Sequence, residues 1–147
     1  MDTTSKTKIV EWELPKLHKS QLEVAKSKKR FKIVVAGRRF GKTKLGTALC
    51  ILYALDGKRA WWVAPTYAMA LEGWRELRYF AYSYGLEVRE SEKTINTGNG
   101  GQVTVKTADA PDRLRGAGLD LAVLDECAFI KEQTWKEVLR PTLSDRL

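Results

Sequence analysis

Residues 34–43 read VVAGRRFGKT, an apolar segment that runs directly into a basic turn with two glycines. With the residues before it, the apolar segment reads FKIVVA (residues 31–36), which is rich in β-branched side chains and apolar on both faces. This pattern predicts a central parallel strand buried on both sides. The segment after the turn, KTKLGTALCILYAL, has leucine and alanine at helical spacing and stops at Asp56 and Gly57, so it predicts a helix.

The rest of the chain continues this alternation of strands and helices. RAWWVAP (59–65) and LDLAVLDECA (119–128) are predicted to be buried strands, and a helix with an apolar stripe follows Thr66. Two further strands, LEVRES and GQVTVKT, are expected to form a hairpin through NTGNGG. A short helix within KLHKSQLEVAKSKK precedes the first strand. The predicted fold class is therefore α/β, with a mostly parallel sheet flanked by helices.

The composition is that of a globular domain, and its positive charge suggests a polyanionic partner. The 147 residues are 44% hydrophobic and 30% charged, which fits one domain with its own core. The net charge of +8 favours nucleic acid or nucleotide phosphates as the partner, with a solvated basic face as the plain alternative. No apolar run reaches the roughly 20 residues of a membrane span, and no secretory signal opens the chain. We therefore expect no membrane partner.

The basic turn matches a phosphate-binding loop. Its last three residues fit the end of the pattern G-x-x-x-x-G-K-[ST], although alanine stands at the first position and a glycine follows it. Such a loop turns its N–H groups inward and starts a helix at the phosphates. Lys42 is predicted to reach the β and γ phosphates, and Thr43 to bind Mg²⁺. Gly37 and Gly41 are expected to take unusual backbone conformations. The predicted nucleotide-binding residues of the loop are Ala36, Gly37, Arg38, Arg39, Phe40, Gly41, Lys42 and Thr43.

Two acids end the last apolar strand. In LAVLDE, Asp125 is predicted to hold the metal, because a phosphate-binding loop needs a carboxylate at the end of a neighbouring strand. Glu126 follows, is expected to point to the opposite side of the strand, and could act as general base toward the attacking water. The plain alternative is a strand that surfaces at its carboxyl end.

Several further residues have open roles. Arg38 is favoured as a phosphate contact, with a salt bridge to a nearby acid as the alternative. Arg113 and Arg115 could reach the nucleotide of an adjacent subunit, DNA or only solvent. Gln21 could read an adenine edge, since a carboxamide offers a donor and an acceptor, or be an ordinary surface glutamine. His18 is given no role.

Several ordered segments resemble the ATPase domain of large terminase subunits, the DNA-packaging motors of tailed phages. The segments are GRRFGKT, WVAPTYAMA, RLRGAGLDLAVLDECAFI and RPTLSDR. The resemblance implies a P-loop NTPase of the additional-strand, catalytic-glutamate type, with ATP as substrate and Mg²⁺ as cofactor. It implies that Arg38 contacts the γ-phosphate, that Glu126 is the catalytic base and that Arg115 is a candidate finger acting in trans. It also places Gln21 in the adenine-binding region.

The resemblance also sets expectations for organisation and partners. Residues 1–16 are expected to be an N-terminal tail and residues 17–147 a partial ATPase domain, without the coupling segment, lid and nuclease domain of the family. The implied partners are double-stranded DNA and, for the full-length family, the portal, the small terminase subunit and a ring of copies. The fragment itself could be monomeric. The implied location is the cytoplasm of an infected or lysogenic bacterial host. Two alternatives remain: a helicase-like ATPase and a truncated remnant that binds nucleotide or DNA without turnover.

Overall fold

A computed structural model of the protein describes residues 16–116 and 118–144. The predicted tail, residues 1–16, lies outside the described residues except for Lys16. No helix in the described ranges combines the length and the apolar character needed to cross a membrane. The helices and strands of the main body are α1 (Lys19–Lys26), α2 (Lys42–Leu55), β1 (Arg59–Ala64), α3 (Tyr67–Ser83), β2 (Glu87–Arg89), β3 (Thr94–Asn96), β4 (Gln102–Thr107) and β5 (Leu121–Leu124).

The chain after β5 is helical. A short helix, α4 (Glu132–Thr134), continues through a π-helical turn, Trp135–Leu139, into α5 (Arg140–Ser144). Short 3-10 turns occupy Arg38–Phe40, Pro111–Leu114 and Cys127–Phe129.

The five strands form one sheet in the order β2-β3-β4-β1-β5. β1 pairs in parallel with β4 on one side and with β5 on the other, so the predicted parallel core is confirmed. β3 pairs antiparallel with both β2 and β4. The sequence analysis missed β3: the NTGNGG loop joins β3 to β4, and not LEVRES to β4. The sheet is therefore mixed, with a parallel half that carries α/β crossovers and an antiparallel extension.

Helices cover both faces of the central strand β1, as the predicted α/β fold requires. Ala60, Trp62 and Ala64 lie in a core cluster with buried residues of α2 and α3. Trp61 and Val63, which alternate with them, lie in a second cluster with the helical C-terminal segment. The strand period of two therefore assigns alternate residues of β1 to two helical layers.

Two glycines let the helices approach the sheet at Trp62. A Cβ atom at Gly46 of α2 would lie 2.6 Å from the Trp62 ring, and one at Gly73 of α3 would lie 2.3 Å from the Trp62 Nε1. Both distances are shorter than nonbonded contacts allow, so only glycine fits at either position. The indole, which is 1% exposed, is thus held between α2 and α3. Its position fixes α2, whose first turn is the predicted phosphate site.

The predicted strand at residues 31–36 is wrong. The segment belongs to no strand of the described chain, and Ile33 and Val35 are 87% and 94% exposed. Phe31 packs edge-on against Trp135, with ring centroids 6.1 Å apart, which draws the segment toward the C-terminal helices. In the described residues β5 pairs only with β1, so the sheet ends there. An apolar β-branched pattern reports a local preference, whereas a strand also needs a neighbour for its N–H and C=O groups.

This placement predicts that residues 31–36 contribute little to the stability of the chain. We expect Ile33→Thr to change the free energy of unfolding by no more than about 0.5 kcal/mol, because its side chain already lies in water. Val103→Ala, at a fully buried position of β4, should cost about 2 kcal/mol through lost packing. Urea unfolding of both variants measures the difference. A comparable loss in the two would contradict the exposed position of Ile33.

Candidate nucleotide site

The loop between residue 36 and α2 has one left-handed glycine. Gly37 has an ordinary extended backbone, with φ −63° and ψ 166°, so the expectation of an unusual conformation is wrong there. The 3-10 turn that follows is closed by a 3.1 Å hydrogen bond from the Phe40 N–H to the Gly37 carbonyl. Gly41 then adopts φ 79° and ψ 45°, the left-handed conformation expected of it. This residue reverses the chain direction and starts α2 at Lys42.

Gly41 is required by its surroundings as well as by its backbone angles. A Cβ atom at this position would lie 2.7 Å from the Gln21 Nε2 atom. The Gly41 carbonyl accepts the first α2 hydrogen bond, from the Leu45 N–H at 3.0 Å. The first N–H groups of a helix have no acceptor inside it and stand at the positive end of its dipole. The turn can therefore bind an anion.

Basic side chains surround the turn. The Lys42 ammonium donates a 2.8 Å hydrogen bond to the Ala36 carbonyl and so spans the loop from one end to the other. Arg38 and Arg39 are exposed, and neither guanidinium pairs with a carboxylate among the described residues. Thr43 lies half-buried in the first turn of α2. Three cations next to free N–H groups form a strongly positive site, which a polyphosphate would neutralise.

Asp125 lies at the carboxyl end of β5, on the same side of the sheet as Lys42. Its N–H bonds the Val63 carbonyl at 2.9 Å, which extends the pairing of β5 with β1 by one residue. Burial raises the pKa of the Asp125 carboxyl, and the charges of Glu126 and Glu72 raise it further, while the Lys42 ammonium lowers it. Lys42 is thus close enough for its charge to act on Asp125. Lys42 and Asp125 therefore lie near each other, although 83 residues separate them in the sequence.

Glu126 does not continue the strand. β5 ends at Leu124, and Glu126 has φ 46° and ψ 46°, a left-handed conformation that is unfavourable for a residue with a Cβ. The alternation that was expected to turn Glu126 to the opposite side of the strand therefore does not apply. Its side chain is exposed beside Asp125. Strained residues of this kind occur at functional sites, where the surrounding structure imposes the conformation.

Gln21 is 2% exposed and contacts the loop directly. Its Nε2 donates hydrogen bonds to the carbonyls of Phe40, at 3.1 Å, and Gly41, at 3.0 Å. Its Oε1 accepts from the His18 N–H at 2.9 Å. The ordinary-surface alternative for this residue is therefore wrong. The suggestion that Gln21 reads an adenine edge stays a prediction, but both hydrogens of its amide are already donated to the loop.

His18, to which the sequence analysis gave no role, contacts the loop of the candidate site. It is the N-cap of α1: its Nδ1 accepts from the Gln21 N–H at 3.4 Å, and its Nε2 contacts the Phe40 carbonyl at 2.9 Å. The available signal was the spacing of His18 and Gln21, which matches the S/T-x-x-E/Q capping box with histidine in the first position. That pattern would also have placed the start of α1 correctly at Lys19.

Arg115 pairs with a neighbouring acid and not with the loop. Its Nε is 3.6 Å from the Asp112 Oδ1, and its side chain is 57% exposed. Arg113 lines a cleft of about 200 Å³ with Tyr67 of α3 and Lys93. Neither arginine contacts the phosphate loop within the described residues, so their predicted roles toward a neighbouring subunit or DNA stay predictions.

A second cleft is in the wrong place for a nucleotide. It has a volume of about 400 Å³ and is lined by Arg59, Asn96 and Gln102, among others. Arg59 and Gln102 are the first residues of β1 and β4, so this cleft opens at the amino ends of the parallel strands. Open α/β sheets bind ligands at the carboxyl ends, where Lys42 and Asp125 meet.

The residues present fit a magnesium ion that is held jointly with phosphates. No group of three or more His, Cys, Asp or Glu side chains in the described ranges could enclose a metal by itself. Mg²⁺ is usually bound by one or two carboxylates together with phosphates and water. Asp125 and the hydroxyl of Thr43, the predicted metal ligands, could supply such a partial set. Burial is the largest cause of the raised pKa of Asp125, and a metal cation bound beside the carboxylate would lower that pKa.

Comparison with known proteins identifies close similarity to terminases. The family model "Terminase large subunit, T4likevirus-type, N-terminal" matches residues 33–146. The terminase large subunit of Thermus phage G20c is 30% identical over 154 residues, which cover 89% of this chain and 32% of the relative. That of Escherichia phage T5 is 32% identical over 120 residues, covering 78% of this chain and 27% of the relative. The chain thus spans about a third of the length of these relatives.

Solved structures give the same result. The large terminase ATPase domain of Thermus phage P74-26 has a TM-score of 0.76 and 27% identity, with 89% of this chain and 61% of that domain covered. A mutant of the same domain gives a TM-score of 0.77 and 26% identity, with 89% and 62% covered. The predicted P-loop fold is confirmed by this similarity.

The raised pKa of Asp125 predicts a stability that depends on pH. A carboxyl whose pKa is higher in the folded chain costs the folded state free energy once it ionises. Asp125→Asn should therefore stabilise the nucleotide-free chain at neutral pH and give no gain near about pH 3, where the carboxyl is protonated in both states. Urea unfolding at the two pH values measures this. Asp109→Asn, at an exposed aspartate, is the matched control, and an equal gain there would contradict the explanation.

The left-handed conformation of Glu126 predicts opposite effects of two substitutions. Glu126→Gly should leave the free energy of unfolding unchanged or raise it, whereas Glu126→Val should lower it by about 1–2 kcal/mol. Lys93, with φ 51°, offers the same comparison away from the acidic pair. Equal stability of the glycine and valine variants at position 126 would show that the backbone is not held in this conformation.

Proposed function

This chain belongs to the family of terminase large subunits, and from that premise we propose that it binds ATP with Mg²⁺ and hydrolyses it as part of a DNA-packaging motor. One observation carries the proposal: Lys42, which starts α2 and spans the basic loop to the Ala36 carbonyl, lies near Asp125, which directly follows β5. A loop lysine and a strand-end aspartate that share a site are the two parts that phosphoryl transfer from a nucleotide requires.

The loop supplies the binding of the phosphates. The N–H groups at the start of α2 bind phosphate oxygens, and Lys42 leaves the Ala36 carbonyl to reach the β and γ phosphates. Arg38, exposed and without a carboxylate partner among the described residues, contacts the γ-phosphate. Arg39 adds positive charge. Gly37 and Phe40 complete the backbone of the loop.

The acidic pair supplies the metal ligand and the base. Thr43 and Asp125 would hold Mg²⁺, which neutralises charge on the phosphates. Glu126, exposed next to Asp125, accepts a proton from the attacking water. Its left-handed backbone turns it away from the strand path, so that two adjacent carboxylates take different positions.

The remaining assignments concern partners. Arg115 is exposed and pairs with Asp112, and we propose that it acts on the nucleotide of a neighbouring copy in a ring. Double-stranded DNA is the proposed polyanion for the basic surface, and the portal and small subunit are the proposed partners of the full-length protein. The proposed location is the host cytoplasm. The family match favours this function over a helicase-like ATPase.

Titration of ATP·Mg²⁺ against the chain and its Lys42→Ala variant tests the binding site. We expect the affinity to fall about 30-fold or more, because the lysine charge is lost from a polyphosphate site. Lys44→Ala removes the same charge two residues along at an exposed position and should change the affinity less than about threefold. Equal binding by the parent and the Lys42→Ala variant would refute the proposed loop.

Phosphate release, measured with and without duplex DNA, tests turnover. Glu126→Gln should lower release by a factor of about 10²–10⁴ while leaving ATP affinity nearly unchanged, since the amide cannot accept the proton of the water. Stimulation of the parent by DNA would support the motor. Binding without release, in parent and variant alike, would instead support the silent remnant.

A further inference from the structure

We propose that Gln21 and His18 are positioning residues of the phosphate loop: they hold two loop carbonyls and thereby aim the adjacent N–H groups at the polyphosphate. The inference rests on the proposed function, because it assigns a role toward the same ligand. It gives Gln21 a task that does not depend on the base of the nucleotide.

The burial pattern of α1 is the first support. Gln21 is the only buried residue of this helix, whereas Leu22 is 38% exposed. A helix that packs for stability alone turns its apolar side chains inward, because burying an amide gains nothing unless every polar atom is bonded. α1 therefore meets the rest of the chain through a hydrogen-bonding side chain, and the groups it bonds belong to the loop.

Four hydrogen bonds converge on two carbonyls. The Phe40 carbonyl accepts from the Gln21 Nε2 at 3.1 Å and from the His18 Nε2 at 2.9 Å. The Gly41 carbonyl accepts from the Gln21 Nε2 at 3.0 Å and from the Leu45 N–H at 3.0 Å. A carbonyl oxygen has two lone pairs, so both oxygens are fully used. One amide group thus spans two consecutive peptide units at the turn.

Planarity of the peptide bond transmits this restraint to the other side of the chain. In a trans peptide the C=O and N–H point in opposite directions. Fixing the Phe40 carbonyl therefore fixes the Gly41 N–H, and fixing the Gly41 carbonyl fixes the Lys42 N–H. Both N–H groups point away from α1, and they stand at the start of α2, where an anion binds. The left-handed Gly41 between them is the residue with the greatest freedom to rotate, so the restraint acts where it is most needed.

The partners determine the orientation of both side chains. The His18 N–H must meet an acceptor and the two loop carbonyls must meet donors, so the Gln21 oxygen faces α1 and its nitrogen faces the loop. The His18 ring accepts at Nδ1 from the Gln21 N–H and donates at Nε2, which is the neutral form with its proton on Nε2. The ring also packs edge-on against Phe40, with centroids 5.0 Å apart.

This network leaves Gln21 without a hydrogen for a purine. Its two amide hydrogens are donated to the loop, and reading an adenine edge needs both a donor and an acceptor. A positioning residue and a base reader therefore predict different results with a ligand that has phosphates but no base.

The test compares ATP·Mg²⁺ with Mg²⁺–tripolyphosphate, titrated against the full chain. Gln21→Met, of similar length and without hydrogen bonds, should weaken both ligands by the same factor of about ten. Ser20→Met places the same side chain at the exposed neighbouring position and should leave both affinities within about twofold. His18→Asn keeps an N-cap acceptor but loses the contact with Phe40, and should weaken both ligands about threefold. The titrations are done without urea, and urea unfolding of each variant shows separately that it is folded under these conditions. Unfolding therefore does not contribute to the measured affinities.

The outcomes are distinct. Equal weakening of both ligands by Gln21→Met supports the positioning role. Weakening confined to ATP would show that Gln21 reads the base. No change in the affinity for either ligand would show that the loop keeps its conformation without Gln21. Either result would overturn the positioning role and leave the proposed function standing. A parent chain that binds neither ligand would overturn the proposed function as well.

Discussion

The pairing of β1 on both of its edges is the constraint on which the rest of the structure depends. β4 and β5 lie parallel to it on either side, and its residues supply both core clusters. The bond from the Asp125 N–H to the Val63 carbonyl sets where the acidic pair leaves the sheet. Trp62, one residue earlier, sets the position of α2 and so of the loop. One strand therefore fixes both halves of the candidate site.

The sequence predicted the elements whose signals are local. α2 runs over the predicted segment because helical spacing and its end at Asp56 and Gly57 agree. Parallel pairing of β1 and β5 followed from their two-sided apolar character. The same reasoning wrongly predicted a strand at residues 31–36, because an apolar pattern does not indicate whether a neighbouring strand is available for pairing. It also missed β3, whose three residues are held as a strand by pairing with β2 on one side and β4 on the other.

In the candidate site, too, the residues with a local sequence signal could be predicted and those placed by distant contacts could not. The positions of Lys42 and Asp125 could be predicted, since each occupies a fixed place relative to a helix start or a strand end, and the two lie near each other. The direction of the Glu126 side chain could not be predicted, because β5 stops at Leu124 and Glu126 is left-handed. The strand alternation of side chains does not extend to this residue. The contact of Gln21 and His18 with the loop joins residues about twenty positions apart through single hydrogen bonds. No spacing rule within one element contains that information.

Because α3 packs closely against Trp62 at Gly73, a displacement of α3 would change the electrostatics of the candidate site. Gly73 touches the indole, and the next residue toward the N-terminus, Glu72, has a charge that raises the pKa of Asp125. Because close-packed interiors transmit displacement, a methyl group added at position 73 would move Glu72 relative to the strand end. The proton affinity of Asp125 would then change although no charged residue had been altered. The packing of Trp62 against Gly73 is thus the contact through which a change of shape in α3 would reach Asp125.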